Sequence, residues 1–222
     1  MKNNYDSIAG CYDVLSRMIF FRSQVKAQVQ QLSAIPANST ILIAGGGTGW
    51  ILEELAKIHV SGLNITYVEI SSRMLERSKK REVKGNKVEY VHAAMEDFRP
   101  AVLYDVLITA FFFDNFSADS IQLIFNQLNA LLKPGGIWLF ADFYYTEKAG
   151  KKWQLLLLKS MYLFFSKISS VEAKMLINTE HLFEEQSYSV IKTAFYYSSF
   201  IKAIIYRKPG LVIPVLSGGL AL

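Results

Sequence analysis

The chain has 222 residues with 51% hydrophobic and 19% charged side chains, which suits one α/β domain with a large core and excludes global disorder. The chain has one cysteine, Cys11, which excludes a disulfide framework and a cysteine-rich zinc site. The N-terminus lacks the apolar core of a signal peptide, so a cytoplasmic protein is expected. No stretch reaches about 18 consecutive apolar residues, so no membrane-spanning helix is expected. The net charge of +5 equals the basic excess of residues 73–87 alone, so a solvated helix face is favoured over a nucleic-acid surface.

Strand-like and helix-like patterns alternate from residue 40 onward, which is typical of a parallel sheet with crossover helices. The last two strands are close enough to pair as a hairpin around residues 197–199. The predicted strands are Ile41–Ala44, Asn64–Val68, Lys87–Val91, Tyr104–Ala110, Ile137–Asp142, Tyr188–Phe195 and Phe200–Tyr206. The predicted helices are Thr48–Ile58, a helix capped by Ser72 and running to Glu82, and Ser117–Leu132, which the sequence KPGG ends.

Two helical regions lie outside this alternation. Residues 1–35 form a predicted N-terminal cap, and residues 151–186 form predicted lid helices inserted after the fifth strand. Both are expected to cover the carboxyl edge of the sheet, where open α/β sheets bind ligands. Residues 1–208 are interpreted as a single domain and 209–222 as an apolar tail. Within the insertion, 153–165 is nearly all apolar, and either a buried lid helix or a peripheral membrane contact explains it.

A glycine-rich loop follows the first predicted strand, in the sequence ILIAGGGTG of Ile41–Gly49. Glycines let the chain turn sharply and approach a ligand closely, and the helix that follows offers free N–H groups to an anionic group. No register matches the dinucleotide pattern G-x-G-x-x-G, and no Gly-Lys-Ser/Thr of a P-loop follows. Glu69, about 20 residues further on, is placed to accept hydrogen bonds from ribose hydroxyls. A tight corner without a ligand is the alternative.

These residues resemble the class I S-adenosylmethionine-dependent methyltransferases. ILIAGGGTG is similar to the first motif of that family, YVEISSRML to its ribose-binding acid, VEYVHAAMEDF to its adenine-binding segment, and LLKPGGIWLFADF to its fifth-strand element. With YDSIAGCYD near the N-terminus, the resemblance is nearest to the small-molecule branch and its ubiquinone/menaquinone C-methyltransferases. It implies a Rossmann-like, doubly wound seven-stranded sheet, mostly parallel with an antiparallel last strand, and helices on both faces.

The resemblance further implies S-adenosyl-L-methionine as cofactor and S-adenosyl-L-homocysteine as product. Two acids that the family often has are missing, because Ile43 stands in the first strand and Ala94 before the adenine-packing residue. The implied cofactor-binding residues are Tyr5, Tyr12, Gly45, Gly46, Gly47, Thr48, Gly49, Glu69, Ile70, Met74, Ala94, Met95, Ala110 and Phe111.

Methyl transfer from a sulfonium is an in-line displacement that depends on alignment and on exclusion of water, so no catalytic side chain is obligatory. His181 and Asp142 are the predicted bases for a hydroxyl or carbon nucleophile. The acceptor site is predicted to be lined by Phe112, Phe113 and Tyr144, which favours a small apolar or aromatic acceptor. No metal is expected, because a metal site would need clustered carboxylates and Asp114 with Asp142 is a thin basis for one.

A monomer or homodimer without a nucleic-acid partner is expected. Two other functions stay open: a non-catalytic regulatory or scaffold protein that binds S-adenosylmethionine, and a nicotinamide-dependent enzyme.

Overall fold

The computed structural model describes residues 22–145, 152–168 and 176–211, and its centre is a seven-stranded sheet in the order β3-β2-β1-β4-β5-β7-β6. The strands are β1 (Thr40–Ala44), β2 (Ser61–Glu69), β3 (Gly85–His92), β4 (Tyr104–Ala110), β5 (Leu132–Phe143), β6 (Ser189–Tyr196) and β7 (Ile201–Arg207). The helices are α1 (Ser23–Val29), α2 (Trp50–Ile58), α3 (Ser72–Ser78), α4 (Ala118–Leu131), α5 (Lys152–Ile168) and α6 (Glu180–Glu185).

The strand order reverses beside β1. β1 pairs in parallel with β2 on one side and with β4 on the other, so the chain winds outward in both directions from this point. β7 runs antiparallel to both of its neighbours, β5 and β6. The predicted Rossmann-like sheet, mostly parallel with an antiparallel last strand, is therefore confirmed. The reversal creates a crevice at the carboxyl ends of β1 and β4, where doubly wound sheets bind ligands.

Apolar side chains cover both faces of the sheet, because successive residues of a strand point to opposite faces. On one face, Trp138 of β5 stacks on Phe125 of α4 at 5.3 Å between ring centroids and meets Phe183 of α6 edge-on. On the other face, Leu52 and Leu55 of α2 are buried in a cluster with aliphatic residues of β1, β2 and β5. The predicted helices on both faces are thus present, and the sheet is fixed from two sides.

Most predicted boundaries differ from the structure by a few residues, and three differ for a physical reason. The predicted helix to Glu82 ends at Ser78, and its N-cap is Ser71, whose Oγ accepts the N–H of Met74 at 3.2 Å. The KPGG sequence is not a separate turn, since β5 begins at Leu132 and carries an irregularity in its pairing with β4 there.

Part of the predicted cap, insertion and tail lies outside the described residues, and Tyr5 and Tyr12 lie there as well. Within the part of the chain that is described, the cap contributes α1 and the insertion contributes α5 and α6. Among these residues, no helix is both long and apolar enough to cross a membrane.

Candidate functional site

A cleft opens at the carboxyl ends of β1 and β4, where the strand order reverses. Its walls come from the glycine loop, the ends of β2 and β4, the start of α2, and α1. The lining residues are Gln24, Val25, Gln28, Ile43, Ala44, Gly45, Gly46, Gly47, Thr48, Trp50, Ile51, Glu69, Ile70, Met74, Ile108, Ala110, Phe111, Phe112, Asn115 and Phe116. Nine predicted cofactor residues are among them, so the structure brings the glycine loop and Glu69 to one site.

The loop from Gly45 to Gly49 depends on glycine for both conformation and space. Gly45, Gly47 and Gly49 have φ values of +66°, +65° and +78°, a region that side chains disfavour. At Gly47 a Cβ would meet no atom within 4 Å, which leaves the side facing the cleft open. At Gly49 it would lie 2.5 Å from Cβ of Ser78, so this glycine permits close packing of the loop against α3.

Glu69 ends β2 directly beside this loop. Its Oε2 accepts the N–H of Gly47 at 2.8 Å, and its Oε1 accepts the N–H of Ser71 at 2.7 Å. The side chain is buried, yet it lines the cleft. A carboxylate has about four acceptor positions on its two oxygens, so it can accept from backbone donors and from the hydroxyls of a bound ligand together.

The turn after β4 is strained where it borders the cleft. Phe111 has a φ of +51°, unusual for a bulky residue, and its N–H donates to the carbonyl of Ala141 at 2.7 Å. Nδ2 of Asn115 donates to the carbonyls of Phe111 and Phe112 at 3.0 and 2.9 Å. Asn115 therefore holds a conformation that would otherwise cost about 1–2 kcal/mol.

A smaller cavity adjoins the cleft beneath Gly45 and Ile70. Ala94, Met95 and Phe112 line it, so the predicted adenine-packing residues lie beside the loop. The predicted residue Gly49 does not line either space in the described part of the chain and instead caps α2.

The three residues predicted to line the acceptor site lie in different surroundings in the structure. Phe112 lies against the glycine loop, because a Cβ at Gly45 would be 2.7 Å from its ring, and it lines the cleft. Phe113 is buried in the core beside Trp138 and Phe140, where it serves packing. The Tyr144 ring contacts Phe195 and lies 4.9 Å from Nζ of Lys202, outside the described cleft lining.

Asp142 is 4% exposed at the end of β5, close to Asp114. Its Oδ1 accepts the N–H of Phe143 at 2.8 Å. Burial, and then the charge of Asp114, raise the pKa of Asp142 well above its usual value. Burial also raises the pKa of Asp114 to about 7. The two carboxyl groups disfavour each other's ionisation, so the pair holds a proton near neutral pH.

The hydroxyl of Tyr162 on α5 belongs to the same electrostatic environment. It is buried without a hydrogen-bond partner among the described residues, and burial followed by Asp114 and Asp142 raises its pKa. Two carboxyl groups and a phenol thus come from β5, from the turn after β4 and from α5. This cluster of two carboxyl groups and a phenol can accept or return a proton without help from bulk water.

His181 is exposed on α6, and its Nδ1 lies 2.9 Å from the carbonyl oxygen of Asn178. It is not among the described residues of the cleft. The geometry gives this predicted base no contact with the site, because the first turn of α6 directs it to solvent.

Several residues of the cleft wall were not predicted from the sequence. Gln24 and Gln28 are one helical turn apart on α1, and Trp50 begins α2. The spacing of the two glutamines was a usable indication, since polar residues at i and i+4 share one helix face. Asn115 had no such indication, because its role depends on the strained turn.

Comparison with known proteins agrees with this geometry. Residues 41–136 match the family model described as a methyltransferase domain, and this range contains the glycine loop, Glu69 and β4. No curated protein matches the chain.

Many solved structures share the fold. The N-methyltransferase NodS from Bradyrhizobium japonicum WM9, in complex with S-adenosyl-L-homocysteine, is 15% identical with a TM-score of 0.64, over 85% of this chain and 88% of that chain. The 1,6-didemethyltoxoflavin-N1-methyltransferase of Burkholderia thailandensis is 13% identical with a TM-score of 0.61, over 91% and 85%. A complex of the Haloferax volcanii Trm112 methyltransferase activator with a putative methyltransferase is 16% identical with a TM-score of 0.64, over 94% of this chain and 99% of that chain. At these identities the likeness shows the fold.

Proposed function

Because residues 41–136 match a methyltransferase domain within a class I methyltransferase fold, we propose that the chain binds S-adenosyl-L-methionine and transfers its methyl group to a small-molecule acceptor. The observation that carries the proposal is the cleft in which the Glu69 carboxylate and the open side of Gly47 face one space. Structures of similar fold contain S-adenosyl-L-homocysteine or S-adenosyl-L-methionine, as their names state.

The described residues can hold each part of this cofactor. The Glu69 carboxylate faces the cleft and can accept hydrogen bonds from ribose hydroxyls, while Met74 and Met95 provide apolar surfaces for an adenine. The free side of Gly47 leaves room for the methionine part. The bound cofactor would supply an electrophilic methyl group, and the apolar walls around Phe111 and Phe112 would exclude water from the transfer.

The acceptor is proposed to be apolar or aromatic, of the kind that ubiquinone/menaquinone C-methyltransferases use. Phe111 and Phe112 give the cleft an aromatic wall at the end of β4. The carboxyl pair of Asp142 and Asp114 is the proposed base, because its raised pKa values make its ionised form a stronger proton acceptor than an ordinary carboxylate. Neither residue is among the described residues that line the cleft, but Phe111 of the cleft wall donates its N–H to the carbonyl of Ala141, next to Asp142. His181 is not proposed, because it is exposed on α6 and its Nδ1 lies beside the carbonyl oxygen of Asn178.

Contact of α5 with an anionic membrane surface is proposed as the route to a lipophilic acceptor. Leu156 and Leu163, one heptad apart, are 68% and 60% exposed. Lys152 and Lys159 are exposed on the same helix, and its sequence contains no acidic residue. Exposed leucines with flanking lysines are typical of helices that lie in a membrane interface.

The test measures binding and turnover separately. Calorimetry with S-adenosyl-L-homocysteine should give saturable binding that Glu69→Ala weakens by about 2–3 kcal/mol, the cost of losing hydrogen bonds to a charged acceptor. Glu89→Ala on β3, an exposed glutamate away from the cleft, is the control. Transfer of labelled methyl to a panel of quinols, phenols and amines then tests the reaction.

Each outcome assigns the function. Binding without transfer to any class of acceptor would favour the regulatory or scaffold protein. Unchanged binding in Glu69→Ala would contradict the assignment of the site.

A further inference from the structure

The first strand cannot hold the glycine loop through a polar side chain. Position 43 is isoleucine, and its side chain is buried in the apolar cluster between β1 and α2. The carbonyl of Gly47 nevertheless has a partner, and that partner comes from the neighbouring strand.

Tyr67 of β2 lies directly opposite Ile43 in the parallel pairing of β1 with β2. Its side chain is 0% exposed, and its hydroxyl donates to the carbonyl oxygen of Gly47 at 2.9 Å. Burial, and then the nearby Glu69 carboxylate, raise the pKa of Tyr67 well above its usual value, so the hydroxyl keeps its proton and acts as a donor. Two side chains of β2 thus hold Gly47, Glu69 at its N–H and Tyr67 at its carbonyl.

This contact requires glycine at position 46. A Cβ at Gly46 would overlap Cζ of Tyr67 and lie 2.5 Å from its Oη. The phenol ring therefore occupies the space that a side chain at position 46 would need. Because Gly46 has no positive φ, this close approach is the steric reason for glycine there.

We propose that Tyr67 is a positioning residue for the cofactor, which fixes the glycine loop from β2 and replaces the polar support that Ile43 cannot give. The inference rests on the proposed cofactor site. Glu69 has to serve the ribose as well as the loop, whereas the Tyr67 hydroxyl contacts the Gly47 carbonyl and the side chain of Ser78 on α3, both of which belong to the protein. Tyr67 is fully buried and is not among the described residues that line the cleft, so its contact with Gly47 sets the shape of the loop from outside the cofactor space.

The test removes one hydroxyl at a time. Tyr67→Phe keeps the ring beside Gly46 and removes the donor, and calorimetry with S-adenosyl-L-homocysteine should show about five- to tenfold weaker binding. Tyr90→Phe is the matched control, because Tyr90 lies 5.6 Å from Tyr67 between ring centroids and donates to the carbonyl of Ser78, away from Gly47. It should change affinity by less than twofold.

A second readout separates positioning from general stability. Hydrogen exchange of the peptide containing residues 45–49 should become faster in Tyr67→Phe and not in Tyr90→Phe, with melting temperatures of the two variants alike. Wild-type affinity in Tyr67→Phe, together with weakened binding in Glu69→Ala, would overturn this inference and leave the proposed function intact. Absence of any binding to the wild-type chain would overturn both.

Discussion

Gly47 is the loop residue at which a side chain would enter the cleft and meet nothing else. Its φ of +65° strains any L-residue, and the space around a Cβ is open. We expect Gly47→Val to abolish binding of S-adenosyl-L-homocysteine in calorimetry, because the isopropyl group would occupy the space of the methionine part. The fold should survive at a cost of about 1–2 kcal/mol for the strained backbone.

Gly135 provides a matched control for that strain. It has a φ of +76° and equally open surroundings, but it lies in the irregular start of β5. Gly135→Val should therefore lower the melting temperature by a similar amount and leave binding unchanged. Equal affinities of Gly47→Val and the wild type would contradict the assignment of the loop.

Asp142 makes the stability of the protein depend on pH. Its pKa is raised in the folded state, so between about pH 4 and the raised value the folded chain binds more protons than the unfolded chain. The free energy of unfolding therefore falls as the pH rises through this range. We expect Asp142→Asn to melt higher than the wild type at pH 8, by about 3 °C or more, and the difference to shrink toward pH 4.

Asp119 is the control for this experiment, since it is exposed in the first turn of α4. Melting curves of Asp119→Asn should follow those of the wild type at every pH. A constant difference between Asp142→Asn and the wild type from pH 4 to 8 would show that the carboxyl group titrates as in water.

At the scale of single elements, α5 is the helix whose exposed face carries the membrane proposal. The double variant Leu156→Asp/Leu163→Asp should reduce binding to phosphatidylglycerol-containing vesicles about tenfold or more in co-sedimentation, since buried leucines contribute roughly 1.5–3 kcal/mol each. Pure phosphatidylcholine vesicles should bind the wild type more weakly, because the attraction of the lysines to anionic lipid is absent.

Leu123 on α4 is 71% exposed and offers the same chemistry on another helix. Leu123→Asp should leave vesicle binding unchanged. Equal loss in this variant and in the α5 variant, or no vesicle binding by the wild type, would contradict the membrane contact.

The sequence predicts elements best where local pattern and tertiary packing agree. β4 has the predicted bounds Tyr104–Ala110, because its apolar run is buried in the middle of the sheet. The helix expected to reach Glu82 stops at Ser78, since Arg81 turns back to donate to the carbonyl of Thr48 at 3.0 Å. That contact spans 33 residues, and no local periodicity contains it.

The same distinction applies at the scale of the whole molecule. The glycine spacing and Glu69 predict which residues meet at the cleft, because the carboxyl ends of parallel strands share one edge. The close packing of the Tyr67 ring against Gly46 could not be predicted, since it depends on the register of β1 against β2. Phe113 shows the converse, because its position after β4 resembles that of Phe112 while its ring packs into the core.

Ligand binding should be visible in the stability of the whole chain. A ligand that binds only the folded state, at 100 times its dissociation constant, adds about 2.7 kcal/mol to the free energy of unfolding. For a chain of this size, S-adenosyl-L-homocysteine should then raise the melting temperature by about 5–10 °C. NAD⁺ at the same concentration should not, because the loop lacks the spacing for a pyrophosphate. Gly47→Val should lose the shift, and stabilisation by NAD⁺ alone would show that the cleft belongs to a nicotinamide enzyme.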